Sequence, residues 1–93
     1  MKCSNILDNL LKIMPKELAM SWDNVGLLSG SKDKEVKNIV VCLDVSEKLI
    51  EKAVSLKADL IVSHHPMIFS PVKSVTDDTS VGRRLLSLIK NDI

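Results

Sequence analysis

The chain has 93 residues, enough for one domain, and a chain this short buries only about two thirds of its unfolded surface. Its apolar fraction of 45% and charged fraction of 27% are ordinary globular values and exclude a disordered or fibrous chain. Thirteen basic residues against twelve acidic ones, mixed along the sequence, supply no cationic face, so no nucleic-acid partner is expected.

At the N-terminus, Asn5, Asp8 and Asn9 interrupt the apolar residues and break up any signal-peptide core. No apolar run approaches the ~20 residues of a membrane span, so a cytoplasmic location without a membrane partner is the default expectation. Ser4 precedes Ile6, Leu7, Leu10, Leu11 and Met14, which recur at helical spacing until Pro15 interrupts them; this is a first amphipathic helix with Ser4 placed to cap it. Residues 15–24 read as an irregular connection with a single turn around 16–19. The apolar run 25–29, closed by Gly30, could be a short strand. The charged stretch 31–37 contains nothing to bury and reads as a surface loop.

Residues 39–43 form a continuous apolar run rich in β-branched side chains, the pattern of a strand covered on both faces. Ser46 is placed to cap a helix whose apolar face is Leu49, Ile50, Ala53, Val54 and Leu56, reaching to Ala58. Residues 60–62 then read as a second buried strand. Strand, helix and strand in this order make a βαβ unit, so the fold class is α/β with two parallel strands and flanking helices. A polar loop follows Pro71, and Val81, Leu85, Leu86, Leu88 and Ile89 outline a last helix ending near Asn91. Ile93 stands where another strand would begin, and residues 1–93 read as one domain that stops mid-pattern.

Parallel strands end at one edge of their sheet, where open α/β folds commonly hold ligands. Asp44 and the Ser63-His64-His65-Pro66 stretch occupy those ends. Two imidazoles on a rigid element are suitable metal ligands. Because neighbouring strand residues face opposite ways and Pro66 favours an extended His65, the rings should diverge, each taking one of two cations about 3.5–4 Å apart. Asp44 is expected to accept from an imidazole N–H or to open the following helix turn, ahead of ligating directly. Asp77 and Asp78 read as solvated loop charges. Trp22, the sole Trp, could be a substrate platform but reads better as a packing anchor, and Asp23-Asn24 reads as a turn leading into a strand. The two cysteines form no CxxC pair; Cys42 reads as a small core residue and Cys3 as incidental. No glycine-rich nucleotide loop and no serine nucleophile elbow is present.

Trp22-Asp23-Asn24-Val25-Gly26-Leu27, the strand closing on Leu43-Asp44, and Ala58-Asp59-Leu60-Ile61-Val62-Ser63-His64-His65-Pro66 form an ordered set. It resembles the N-terminal part of the NGG-interacting-factor-three-like family, also labelled GTP cyclohydrolase I type 2 homologues, over essentially the whole chain. The resemblance implies a two-metal centre, a protein built from α/β halves, and toroidal homo-hexamers. It makes His64 and His65 metal ligands. The family's other ligands, an Asp in a His-Thr-Asn-x-Asp stretch and a distant His and Glu, are not among residues 1–93, so the resemblance implies either the N-terminal portion of a longer protein, which is the expectation, or a degenerate copy, in both cases holding only part of the centre. Zn, Fe or Mn would suit histidines with carboxylates. The implied activity is metal-assisted hydrolysis of a small molecule, either the purine ring of GTP or a phosphoester. The alternative is a non-catalytic metal-binding assembly module. Catalytic residues are not assigned at this stage.

Overall fold

A computed structural model describes residues Met1–Ile93. The order is α1 (Cys3–Ile13), a 3-10 turn (Lys16–Leu18), β1 (Ile39–Cys42), α2 (Glu47–Ser55), β2 (Leu60–Ser63) and α3 (Ser80–Lys90). β1 and β2 pair in parallel, with Ile39 opposite Leu60 and Cys42 opposite Ser63. The fold is α/β, as the βαβ pattern implied. No helix is long and apolar enough to cross a membrane.

The helices start and stop for local reasons. Ser46 Oγ accepts from Leu49 N at 3.0 Å and opens α2, and Thr79 Oγ1 accepts from Gly82 N at 3.0 Å to open α3. At its C-terminus α2 folds back: Lys57 N donates to Val54 O and Ala58 N to Ala53 O, with Lys57 at φ +55°. This pair of bonds is a Schellman motif, and it satisfies carbonyls that the helix leaves unpaired. α3 repeats it, with Asp92 N donating to Ile89 O, Ile93 N to Leu88 O, and Asp92 at φ +53°. Ile93 therefore closes a helix cap and packs against the core.

Val45, Ile50 and Leu88 form the central cluster, flanked by Cys42, Ile61, Met67 and Ile93. Only nine of the 93 residues are buried, so α2 and α3 are held to the sheet by a thin core. Ile39, Val41 and Leu43 all face solvent, Val41 at 77% exposure. The expectation that this strand is covered on both faces thus fails: α2 and α3 pack on one face, and on the other the β1 side chains stay exposed while their β2 partners, Leu60 and Val62, are half-buried.

Several expectations for the first forty residues are corrected by contacts distant in sequence. α1 begins at Cys3, and its cap residue Lys2 makes no side-chain capping bond; the first helical amides, Cys3 N and Ser4 N, donate instead to Lys34 O and Lys32 O, both at 2.8 Å. Ser4 is inside the helix and caps nothing. Cys3, expected to be incidental, is buried, and so is Val36 in the stretch read as having nothing to bury. The run 25–29 forms no strand, since Gly26 at φ +123° and Gly30 at φ +104° bend it at both ends and it joins no ladder. The turn around 16–19 is present as the 3-10 element.

Two outcomes test this packing. A Cβ at Gly82 would overlap the Thr76 carbonyl oxygen. Gly82→Ala should therefore destabilise the chain by about 1–3 kcal/mol in urea unfolding, despite the better helix propensity of alanine; unchanged or raised stability would place Thr76 elsewhere. Asp59 Oδ2 accepts from Lys37 N at 2.8 Å and Asn38 N at 2.9 Å, tying the start of β1 to that of β2. The bonds from Asn38 and then Lys37 hold its carboxyl below the usual range. A lowered folded pKa contributes stability that is complete above the unfolded value of about 3.9 and is lost as pH falls through the folded value. Asp59→Asn should remove this contribution, so the gap in urea midpoint between wild type and variant should be full at pH 7 and shrink below about pH 4.

Candidate metal centre

The parallel ladder carries the sequence-expected site residues to one edge. His64 N donates to Cys42 O at 3.1 Å and His65 N to Leu43 O at 3.0 Å, so both histidine backbones are fastened to the end of β1. Ser63 Oγ donates to the His65 carbonyl at 2.8 Å and closes a bend at residues 64 and 65. The bend overturns the expectation of diverging rings. The two imidazoles lie edge to face, with centroids 4.9 Å apart and planes at 80°. Continued extension would have pointed them to opposite faces; the turn puts them on the same rim.

Asp44 follows the residue that receives the His65 amide, and its carboxylate meets the same histidine. His65 Nδ1 lies 2.7 Å from Asp44 Oδ1, with both side chains more than half exposed. A carboxylate can only accept, so Nδ1 is a protonated nitrogen and donates, and in the neutral ring the lone pair is on Nε2. Carboxylate partners commonly orient metal-ligating histidines in this way. The loop that presents Asp44 is held from behind by Arg84 on α3, whose Nη1 donates to Val45 O at 2.8 Å. Arg83 Nε donates to Glu47 Oε1 at 2.9 Å, adding a second link between α3 and the start of α2.

The donor chemistry fits part of a metal centre. Two imidazoles and an orienting carboxylate share one rim, but no group of three or more His, Cys, Asp or Glu side chains able to hold an ion converges anywhere in the chain. Cys42 does not enlarge the set. Burial, helped by the Asp44 charge, pushes its thiol up and disfavours the thiolate that a metal needs. Asp77 and Asp78 are exposed in the loop before α3, away from the histidine rim in sequence and without a shared contact.

Sequence reasoning missed a second feature beside this rim. Asn24 Nδ2 donates to Ile68 O at 2.7 Å, fastening the 22–26 segment to the loop just beyond the histidines. Trp22 is 65% exposed and therefore is not the packing anchor expected of it; its ring lies 6.0 Å from that of Phe69. The available signal was that these two rings are the chain's whole complement of Phe, Tyr and Trp.

The model of the Duf34/NIF3 (NGG1p interacting factor 3) family matches residues 1–93. A GTP cyclohydrolase 1 type 2 homolog of Clostridium perfringens is 41% identical over all 93 residues, which amount to 36% of that protein. Among solved structures, a Bacillus cereus protein related to NIF3 superposes with a TM-score of 0.93 at 36% identity, covering 100% of this chain and 26% of that one. Reduced HcgD from Methanocaldococcus jannaschii superposes with a TM-score of 0.90 at 35% identity, covering all of this chain and 37% of that one. The chain thus spans about a quarter to a third of the length of these relatives.

The tautomer assignment is testable without metal. Long-range proton–nitrogen NMR correlations should show His65 protonated at Nδ1 in the wild type, and Asp44→Ala should shift it toward the Nε2–H form of a free imidazole. An Nδ1–H tautomer that survives Asp44→Ala would remove Asp44 from its assigned role.

Proposed function

The chain belongs to the Duf34/NIF3 (NGG1p interacting factor 3) family, and from that premise we propose that residues 1–93 supply part of a two-metal hydrolytic centre in a larger α/β domain. The observation that carries this reading is the rim itself: His64 and His65 with rings 4.9 Å apart, and Asp44 Oδ1 2.7 Å from His65 Nδ1, at the shared edge of two parallel strands. His64 and His65 would each give a nitrogen donor to one of two divalent cations, of which Zn, Fe and Mn suit the donor type. When bound, such cations supply a Lewis acid and an acidified water.

The chain's own residues then have defined tasks. Asp44 accepts a hydrogen bond from His65 Nδ1–H, so that in the neutral ring Nε2 is the nitrogen left for donation, and orients the ring. The Ser63 hydroxyl and the amide bonds to Cys42 and Leu43 hold the bend, so that the backbone carrying both rings is set before a ligand arrives. The substrate class best matched to such a centre is a small molecule with a hydrolysable bond, the purine ring of a nucleotide or a phosphoester. The names of the curated relatives favour the former. The remaining donors, and a cover for the open face of Ile39, Val41 and Leu43, belong in this reading to further parts of the domain and to a homo-hexameric assembly.

A second reading, a metal-binding assembly module without catalysis, is favoured by the exposed apolar side chains, Val41 and Leu43 among them, and by the absence of a third converging donor. Assaying a longer form carrying this segment, loaded with metal, against GTP and a panel of phosphoesters separates the two.

Ligand count fixes the expected behaviour of the isolated chain. A catalytic zinc normally has about three protein ligands, whereas here each cation would receive one imidazole. Calorimetric titration of zinc and manganese should show weak binding and no tightly held pair. In the longer form, His64→Ala or His65→Ala should remove metal and activity together, and Asp44→Asn should weaken metal binding by about 10–100-fold. Two tightly bound ions in the 93-residue chain would contradict the shared-centre reading.

A further inference from the structure

The pair that orients His65 cannot hold itself in place. Asp44 and His65 meet at 2.7 Å with both side chains more than half exposed, and a contact so open to water gains little against the side-chain freedom it gives up. The geometry therefore rests on the two backbones that carry the pair. The His65 side is fastened by its amide bond to Leu43 O and by the Ser63 hydroxyl. On the Asp44 side the chain leaves β1 at Cys42 and enters α2 only at Glu47, so residues 43–46 lie outside any helix or strand.

That stretch is restrained from α3. Val45, the residue after Asp44, is buried in a cluster with Ile50 of α2 and Leu88 of α3. Its carbonyl accepts from Arg84 Nη1 at 2.8 Å in a part-buried contact. Arg84 and Leu88 stand four residues apart on α3 and share one side of the helix, so α3 takes Val45 both by its side chain and by its carbonyl. Arg84 forms no ion pair with any carboxylate of the chain. Besides Val45 it donates only to Ser80 O, one turn back on its own helix, at 3.3 Å. The guanidinium is thus committed to the backbone next to Asp44 instead of to a counter-ion, and a charged donor makes a stronger bond to a carbonyl than a neutral one. Arg83 serves a different contact: it is exposed and donates to Glu47 and to the Asp77 carbonyl.

We propose that Arg84 is a positioning residue for the histidine rim, acting through the Val45 carbonyl to hold Asp44 where its carboxylate meets His65 Nδ1. The role deepens the metal-centre reading and rests on it for its purpose, while the positioning itself requires no metal. A guanidinium that only tied α3 to the rest of the fold would change stability when removed and leave the His65 tautomer as it was.

Long-range proton–nitrogen correlations on the 93-residue chain, at about pH 8.5 where an ordinary imidazole is neutral, read that tautomer directly. Arg84→Met keeps the apolar stem and removes the donors. With its circular dichroism unchanged, it should move His65 toward the Nε2–H form by roughly half or more of the change that Asp44→Ala produces. Arg83→Met, which removes an α3–α2 link of the same chemistry, should leave the tautomer at its wild-type value. Should Arg84→Met fail to fold, Arg84→Gln is read by the same two criteria. A wild-type tautomer in the folded Arg84 variant, or an equal shift in Arg83→Met, would overturn the positioning role. Zinc titration followed at the histidine signals separates this outcome from the metal reading. If Arg84→Met shifts the tautomer and zinc leaves both histidines unperturbed, the positioning role stands and the metal reading fails. If the tautomer ignores Arg84→Met while zinc still perturbs both histidines, the metal reading stands and the positioning role fails.

Discussion

Parallel pairing of β1 with β2 requires both strands to end at the same edge, and everything assigned to the site depends on that requirement. With Cys42 opposite Ser63, the next residues of each strand must leave the sheet together. The amides of His64 and His65 then find the carbonyls of Cys42 and Leu43, and Asp44 emerges beside His65. An antiparallel pair would have put Asp44 and the histidines at opposite ends. The crossover helix α2 enforces the parallel arrangement, and its buried side chains, Ile50 and Ala53, anchor it to the sheet. At the other end, Asp59 bonds the amides of Lys37 and Asn38, so the strand pair is pinned by side chains at both its entry and its exit.

The parts of this architecture that were legible in the sequence are those written in local signals. Ser46 caps α2 through an amide three residues away, and Ile50 with Ala53 marks its inner face. The β-branched runs gave both strands and their edge, and hence the neighbourhood of Asp44 and the two histidines. What could not be read depends on contacts between distant segments. The start of α1 is held by Lys32 and Lys34 carbonyls instead of Ser4, and Cys3 and Val36 are buried where that contact is made. The meeting of Trp22 with Phe69 follows from a single amide-to-carbonyl bond between residues 24 and 68, which no periodicity encodes. The divergence expected of His64 and His65 failed for a smaller reason: the Ser63 hydroxyl turns the chain just as the strand ends.

In the proposed reading, the rim supplies part of a donor set. Hydrogen bonding fixes His65 with one nitrogen committed to Asp44 and the other free. His64 stands beside it on a bend whose backbone bonds are already made. Cys42, at the end of β1, has its thiol pushed up by burial and then by the charge of Asp44. On the other side of the strand pair, one face of β1 carries the exposed apolar side chains of Ile39, Val41 and Leu43.

The account stands or falls on whether divalent cations seek this rim at all, and paramagnetic broadening can locate even weak binding. With manganese added in substoichiometric amounts to the isotope-labelled chain, the amide signals of residues 43–45 and 63–66 should broaden first, while those at the strand entries, 37–39 and 59–60, keep their intensity. Broadening that begins instead at Asp33 or at Asp77 and Asp78, with the histidine rim unaffected, would contradict the assignment of His64 and His65 as the chain's metal-binding residues.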